Sequence, residues 1–406
     1  MKAKVKAEYD SAKTIIMHTP GEELFYGCLQ GIAALFENKP FDRYKATNEH
    51  NNYVQTLKEK SINVKLVKEV LLEDTIDEKG NKEKGKSLDD LTNLADKFLS
   101  ISYPIELPIE TLKEVKDYKQ KTLSELHPYD LVKIIFEKPK VYIKESDEKN
   151  TEFIAENYLV NPVMNMHFLR DQQITTDKGI VIRKMNSTQR KAETEITKFV
   201  FNKLGVKPIY EVNGEGKLEG GDFIPCGNFA FIGQGLRTNS EAIKQLLKNN
   251  VFEYSEIAVV KDSYKSQDEM HLDTYFNIAG SNKAVVLEDR IKNNSDKKTL
   301  VDTYLKTDSG YINKNKDLAF KDYLNNKGFK TENNSLITLT KEEQLNYGLN
   351  FLTIAQNQII AVKGVSENYH NKMKGINITE VNFNNFTKTY GGPHCSTQVI
   401  YRESSK

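Results

Sequence analysis

Apolar positions follow two rhythms along this chain. Short apolar runs closed by glycine, proline or charged turns predict buried strands, and stretches with apolar residues three and four apart predict helices. Lys13-Thr14-Ile15-Ile16-Met17-His18 is the first run. Thr19-Pro20-Gly21-Glu22-Glu23 closes it, because proline presets φ and glycine permits positive φ. Residues 43–60 read as a helix that is polar on most faces, and 63–67 as the returning strand. From residue 152 the alternation resumes, with a strand at 180–182 and a helix that Ser187 could cap, running to about Leu204. A hairpin around Gly227-Asn228 follows, then a helix begun by Asn239 or Ser240, then strands at 283–288, 336–340 and 352–363. This order predicts an α/β chain. Strand–helix units recur about every 50 to 70 residues, a spacing that suggests an internal repeat, although the units share no sequence identity.

Residues 70–150 break the rhythm. Asp77 to Lys86 is a solvated charge run, read as a loop. Ser87 followed by Asp90 resembles a helix cap, and Leu91, Leu94, Phe98 and Leu99 then recur at helical spacing. Two more helical stretches cover 108–125 and 128–137. Three helices in succession without strands read as a helical insertion.

Composition narrows the function classes. The 406 residues carry a net charge of +1 with 28% charged residues, so no global field points to nucleic acid or to a membrane. Basic residues are nowhere clustered with aromatics, the footprint a nucleic-acid surface would need. Mean hydropathy is −0.59 and no apolar run is long enough to span a bilayer. Met1-Lys2-Ala3-Lys4-Val5 is followed by no apolar stretch, so no signal peptide is expected. Cys28, Cys226 and Cys395 are too few and too odd in number for a disulfide framework, which fits a reducing cytoplasm. Tyr and Phe are plentiful enough for a core or for an interface between copies, so a homo-oligomer stays open.

Chemistry enters through one stretch near the end, Tyr390-Gly391-Gly392-Pro393-His394-Cys395-Ser396-Thr397. Glycines permit a sharp turn and close approach of a ligand; a cysteine there reads either as a small buried residue or as an outward-facing nucleophile. His394 beside it reads as solvated or as functional. Three further groups carry polar residues in patterned positions. His271 and Asp273 are two apart on a predicted strand and so share a face. Glu219 and Asp222 flank two glycines, and Asp171 follows Arg170 at a strand end. Singly, each reads equally as a turn or a surface pair. Together they suit a guanidinium, a planar cation with several N–H donors in a fixed fork that carboxylates such as Asp171 and Asp273 can hold. Its carbon is a poor electrophile and calls for a thiolate; a thiol of pKa ~8.5 needs a nearby cation to ionise at neutral pH. His271 could protonate a leaving amine, oriented by Glu219.

These blocks resemble the arginine deiminase family of the guanidine-modifying enzyme superfamily. Phe168-Leu169-Arg170-Asp171, Glu219-Gly220-Gly221-Asp222, His271-Leu272-Asp273-Thr274 and the C-terminal Gly-Gly-x-x-Cys stand in matching order, and Pro-Gly-Glu-Glu after the first strand also fits. The resemblance implies a five-bladed α/β propeller (the pentein fold) as a single catalytic domain over residues 1–406, with 70–150 as a helical insertion within it. It implies Cys395 as nucleophile, His271 as general acid and base, Glu219 as its partner, and Asp171 and Asp273 as the guanidinium grip. Asn165 and Phe168 fall where the family lines the pocket, Asp222 and Gly392 beside the substrate, and Arg190 and Arg237 where deiminases bind the α-carboxylate of free arginine. The implied reaction is hydrolysis of L-arginine to L-citrulline and ammonia through a covalent cysteine thiouronium, with no cofactor. No Cys/His spacing resembles a zinc site.

Departures are visible. Leu169 precedes Arg170 and Gln172-Gln173 follow Asp171, where the family pattern has Thr and Pro; His394 and Ser396 flank the cysteine in place of Arg and Met. Three alternatives therefore stand: an arginine dihydrolase releasing ornithine and two ammonia, an amidinotransferase, and a non-catalytic arginine-binding protein.

Overall fold

The computed structural model describes residues 1–29, 41–103, 107–147, 149, 153–184, 190–292 and 295–404, without the side chain of Cys28. The chain divides into two compact units. The larger comprises Met1–Pro20, Gly31–Lys65 and Met166–Lys406, and the smaller Gly21–Gln30 and Leu66–Asn165.

The larger unit repeats one topology. In four of its sheets an antiparallel hairpin is followed by a helix and then by a third strand parallel to the hairpin's second. Gln173–Thr175 and Ile180–Ile182 form the first such hairpin, and Tyr210–Glu211 returns in parallel. Phe223–Cys226 and Phe229–Gln234 form the second, with Glu256–Lys261 as parallel partner. Phe276–Gly280 and Lys283–Leu287 take Leu336–Leu339, and Leu352–Ala355 and Gln358–Val362 take Asn377–Val381. The fifth sheet joins the two ends of the chain, in the order Asn63–Leu66, Ser11–Met17, Gln398–Glu403.

Local chemistry explains the elements. The hairpin at Gly227 turns with φ of 81°, which glycine adopts without strain. Asn239 caps Ser240–Lys248 by accepting from the Ala242 backbone N–H at 3.0 Å. Strands are apolar on both faces where helices cover them, as in Ala284, Val285, Val286 and Leu287, all buried. Arg43–Glu59 is less polar in its placement than its composition predicts, because it buries Glu49, His50 and Tyr53 along with Ala46, Val54 and Leu57. Glu49 accepts the backbone N–H groups of Asn385 and Phe386, so its charge caps a turn in the interior.

Two features differ from the sequence reading. Lys86–Phe98 is capped at Gly85 with no side-chain hydrogen bond, so Ser87 is inside the helix rather than its cap. The Leu300–Thr307 and Gly310–Ala319 hairpin extends the second sheet to five strands; its alternating polar residues hid it from a search for apolar runs. Ser187 lies outside the described residues, and the helix there, Lys191–Lys203, starts after Arg190.

In the smaller unit, helices occupy Lys86–Phe98, Ile109–Glu125 and Pro128–Glu137. They are not free of strands: Ser100–Ser102, Pro139–Glu145 and Phe153–Val160 form a sheet. Leu88, Leu91, Leu94, Ala95 and Phe98 are buried together with Leu131, Val132, Ile135 and Phe136, the apolar stripes that the helical spacing requires.

Candidate active site

Every sheet of the larger unit offers a residue from the same place, the turn just before its repeat's first strand. Short 3-10 turns at Leu169–Gln172, Gly220–Asp222 and Leu272–Thr274 carry Asp171, Asp222 and Asp273. Asn350 precedes Leu352–Ala355 and Cys395 precedes Gln398–Glu403. His271 and Asp273 are therefore on a turn, not on a strand as their spacing suggested, and the turn aims both inward.

Three buried side chains form a chain of charge. Glu219 Oε2 is 2.8 Å from Nε2 of His271, and the other imidazole nitrogen, Nδ1, is 3.8 Å from Asp171 Oδ1. Behind Glu219 the fully buried guanidinium of Arg183 approaches Oε1 to 3.3 Å. Burial alone would raise the Glu219 pKa, but Arg183 and His271 outweigh it and hold the carboxyl well below the usual range. Burial would likewise push His271 down; the Asp171 charge and the Glu219 hydrogen bond overcome it and raise its pKa to about 9. His271 is thus an imidazolium at neutral pH. Asp222, buried and accepting the Leu272 N–H at 2.9 Å, is pushed up to about 7 by burial.

Asp171, Glu219 and His271 each bring one ligand-type atom within 4.8 Å of the others, a spacing that would suit a cation. In this arrangement Asp171 is held by Arg190 at 2.9 Å, and Glu219 by His271 and Arg183.

A second group surrounds the thiol. Cys395 Sγ lies 3.8 Å from Asp273 Oδ2 and 3.1 Å from Asn350 Nδ2. Burial, then the charges of Asp273 and Asp171, push the thiol well above its usual pKa. His394 is not solvated: it is wholly buried, with Nδ1 2.7 Å from Asp273 Oδ2 and Nε2 3.7 Å from Glu8 Oε1. Glu8 is in turn paired with Arg402 at 2.6 Å and Arg170 at 3.4 Å.

The carboxylates keep one oxygen each in reserve. Asp171 Oδ1 and Asp273 Oδ1 are buried with no hydrogen-bond partner among the described residues. Gly221 makes the space beside Asp273 Oδ1 and the His271 ring, since a Cβ there would stand 2.9 Å from Asp273 Oδ1 and 2.8 Å from His271 Nδ1. Gly391 is similarly constrained, because a Cβ would meet the Phe168 ring at 2.2 Å. An open pocket enclosing about 550 Å³ leads to Cys395 past Met270, Thr274, Tyr347, Asn350 and Tyr390, with Gln267 and Asp268 also lining it.

The remaining expected residues are placed as follows. Arg190 lies beside Asp171, with Nε donating to Glu193 at 3.0 Å, Nη1 to Asp171 and Nη2 2.9 Å from Glu193. All three nitrogens are committed to carboxylates rather than presented to the pocket. Arg237 donates to Gln267 Oε1 at 3.5 Å, which sets it next to the pocket lining. Gly392 donates its N–H to Asn350 Oδ1. Asn165 belongs to the smaller unit. Sequence reading missed Glu8, Arg183, Asn350 and Arg402, which stand outside any motif.

The mixed α/β fold is shared with solved structures that handle guanidines. The N-terminal domain of an arginine dihydrolase from cyanobacteria superposes with a TM-score of 0.57 at 14% identity, covering 96% of this chain and 97% of that one. A dimethylarginine dimethylaminohydrolase from Pseudomonas aeruginosa, solved with citrulline, gives 0.54 at 15% identity over 95% and 98%. A sequence model of arginine deiminase matches residues 34–402, and the chain belongs to the arginine deiminase family, hydrolases of guanidino carbon–nitrogen bonds. Curated relatives include the arginine deiminases of Borrelia garinii subsp. bavariensis, 27% identical over 98% of this chain and 97% of the relative, and of Oenococcus oeni, 25% identical over the same shares.

Proposed function

We propose that the chain hydrolyses L-arginine to L-citrulline and ammonia, with Cys395 as nucleophile. The observation that carries this reading is the pair of buried carboxylate oxygens, Asp171 Oδ1 and Asp273 Oδ1, without a hydrogen-bond partner among the described residues. A planar cation with several N–H groups satisfies both at once, as a guanidinium does. The same cation offsets the two negative charges that hold the Cys395 proton, so binding promotes the thiolate.

The thiolate attacks the guanidinium carbon to form a neutral tetrahedral adduct. His271 imidazolium gives its proton to one amino group, the C–N bond breaks and ammonia departs, leaving a cationic S-alkylthiouronium on Cys395. The now neutral His271 takes a proton from water as its oxygen adds to that carbon. Collapse breaks the C–S bond, the hydroxyl proton passes to bulk water, citrulline is released and the thiolate is restored. Glu219, fixed by Arg183, keeps His271 oriented and basic enough to recover its proton. Arg237 binds the α-carboxylate, and Phe168 and Gly392 line the substrate stem. Arg190 is assigned to holding Asp171 in place.

Four sheets of one repeated topology and a fifth that joins the chain ends support a five-bladed α/β propeller as the catalytic part, with residues 70–150 as its insertion. Citrulline in the superposed dimethylaminohydrolase supports a ureido product in such a site. Product analysis by mass spectrometry with an ammonia count tests the reading: one ammonia with citrulline is expected, whereas ornithine with two ammonia would replace it with dihydrolase chemistry.

A further inference from the structure

The fourth repeat contributes a residue that no motif marks. Asn350 is buried, and its carboxamide touches the nucleophile loop at three points. Oδ1 accepts the backbone N–H of Gly392 at 3.0 Å and of Cys395 at 3.1 Å. Two backbone donors on one atom fix which end of the carboxamide is oxygen. Nδ2 then necessarily faces Cys395 Sγ, at 3.1 Å, with the Asp273 carbonyl at 3.5 Å as its only other acceptor among the described residues. The Asn350 main-chain carbonyl also accepts the His394 N–H at 3.0 Å. Gly392 is what permits this approach, since a Cβ there would stand 3.0 Å from Oδ1.

The charges acting on the thiol are unfavourable to ionisation. Asp273 and Asp171 are both anionic neighbours, His394 lies behind Asp273, and His271 lies beside Asp171. Asn350 is the neutral donor that contacts sulfur directly. We propose that Asn350 is a catalytic residue of this site, donating its side-chain N–H to the Cys395 thiolate while its oxygen locks the loop from Gly392 to Cys395. A hydrogen bond to the charged form favours that form, and the bond strengthens when sulfur becomes anionic. The proposal rests on Cys395 being the nucleophile of the function proposed above, but its test does not need arginine turnover.

The test is the pH dependence of Cys395 alkylation by iodoacetamide, with thiolate absorbance near 240 nm, in wild type, Asn350→Asp and Asn350→Ser. Cys395→Ala supplies the background from the other cysteines. Both variants are expected to move the alkylation midpoint upward by about 1 pH unit and to slow alkylation about tenfold at pH 8, Asn350→Asp more than Asn350→Ser. An unchanged midpoint with only a lower melting temperature would overturn the proposal. Should the variants fail to fold, the side-chain amide resonances of Asn350 in 15N-labelled wild type are expected to shift as the thiol titrates, and resonances indifferent to that titration would overturn it too. A shifted midpoint in a protein that leaves arginine untouched would uphold the Asn350–sulfur bond and sink the arginine reading; arginine turnover with an unshifted midpoint would do the reverse.

Discussion

His394 Nδ1 lies 2.7 Å from Asp273 Oδ2 in space that excludes water, directly behind the nucleophile. This contact continues to Glu8 and from there to Arg402 and Arg170, so the residue before Cys395 is tied to both ends of the chain. Burial would raise the Glu8 pKa, but the two arginines hold it well below the usual carboxylate range. Removing one member leaves an uncompensated buried charge, which costs about 3 kcal/mol or more. Arg402→Met is therefore expected to lower unfolding stability by about that amount in urea titrations. A change below about 0.5 kcal/mol would mean that Glu8 is satisfied some other way.

Glu219→Gln removes the anion that helps keep His271 protonated. His271 titrates at about 9 in the fold against ~6.5 ordinarily. The raised value means that the pair's stabilisation is complete below about pH 6.5 and is lost as pH rises through about 9. Activity is expected to fall on the same alkaline limb. In Glu219→Gln that limb should move down by about one unit, and kcat/KM should fall about 100-fold at pH 8. An alkaline limb in the same place would show that Glu219 does not set the charge of His271.

Arg190 and Arg237 are expected to separate kinetically. Arg190 holds Asp171 through Nη1, so Arg190→Ala should lower kcat about 100-fold for arginine and for agmatine alike. Arg237→Ala should raise KM for arginine about tenfold or more and leave any turnover of agmatine unchanged, because agmatine has no carboxylate. Equal losses on both substrates in Arg237→Ala would contradict its assignment.

Gly220→Ala probes how closely the repeats pack. A Cβ there would stand 2.0 Å from the Arg170 carbonyl oxygen and 2.4 Å from that of Gln173, both backbone atoms that cannot swing aside. The variant is expected to lose about 2 kcal/mol or more of stability, read as a lower urea midpoint. Wild-type stability would mean that these two turns can separate.

Much of this arrangement was legible in the sequence where the physics is local. Apolar runs located the strand at 180–182 and strands within 283–288, 336–340 and 352–363, the last being a hairpin of Leu352–Ala355 and Gln358–Val362, and the helix expected to begin at Asn239 or Ser240 is capped by Asn239. Asp171, Glu219, His271, Asp273 and Cys395 stood out because each sits in a motif with glycine or a neighbouring charge. Glu8, Arg183 and Arg402 did not, since a lone charge reads as a solvated surface until folding brings an opposite charge to it over hundreds of residues. Asn350 had one available signal, its place just before the first strand of a repeat, in register with Asp171 and Cys395. That register emerges only once the sheets are paired. His394 was ambiguous for the same reason: Asp273, 121 positions away, decides that it is buried and bonded.

The most direct measurement is intact-protein mass spectrometry on enzyme quenched in acid during arginine turnover, followed by peptide mapping. His271→Ala is included as a control, because it removes the acid that releases ammonia and should form no thiouronium. The account predicts an arginine-derived mass, less one ammonia, on Cys395 and on no other residue of the wild type, absent from His271→Ala, together with no turnover in Cys395→Ala. Citrulline formation by Cys395→Ala, or an adduct on another side chain, would contradict it.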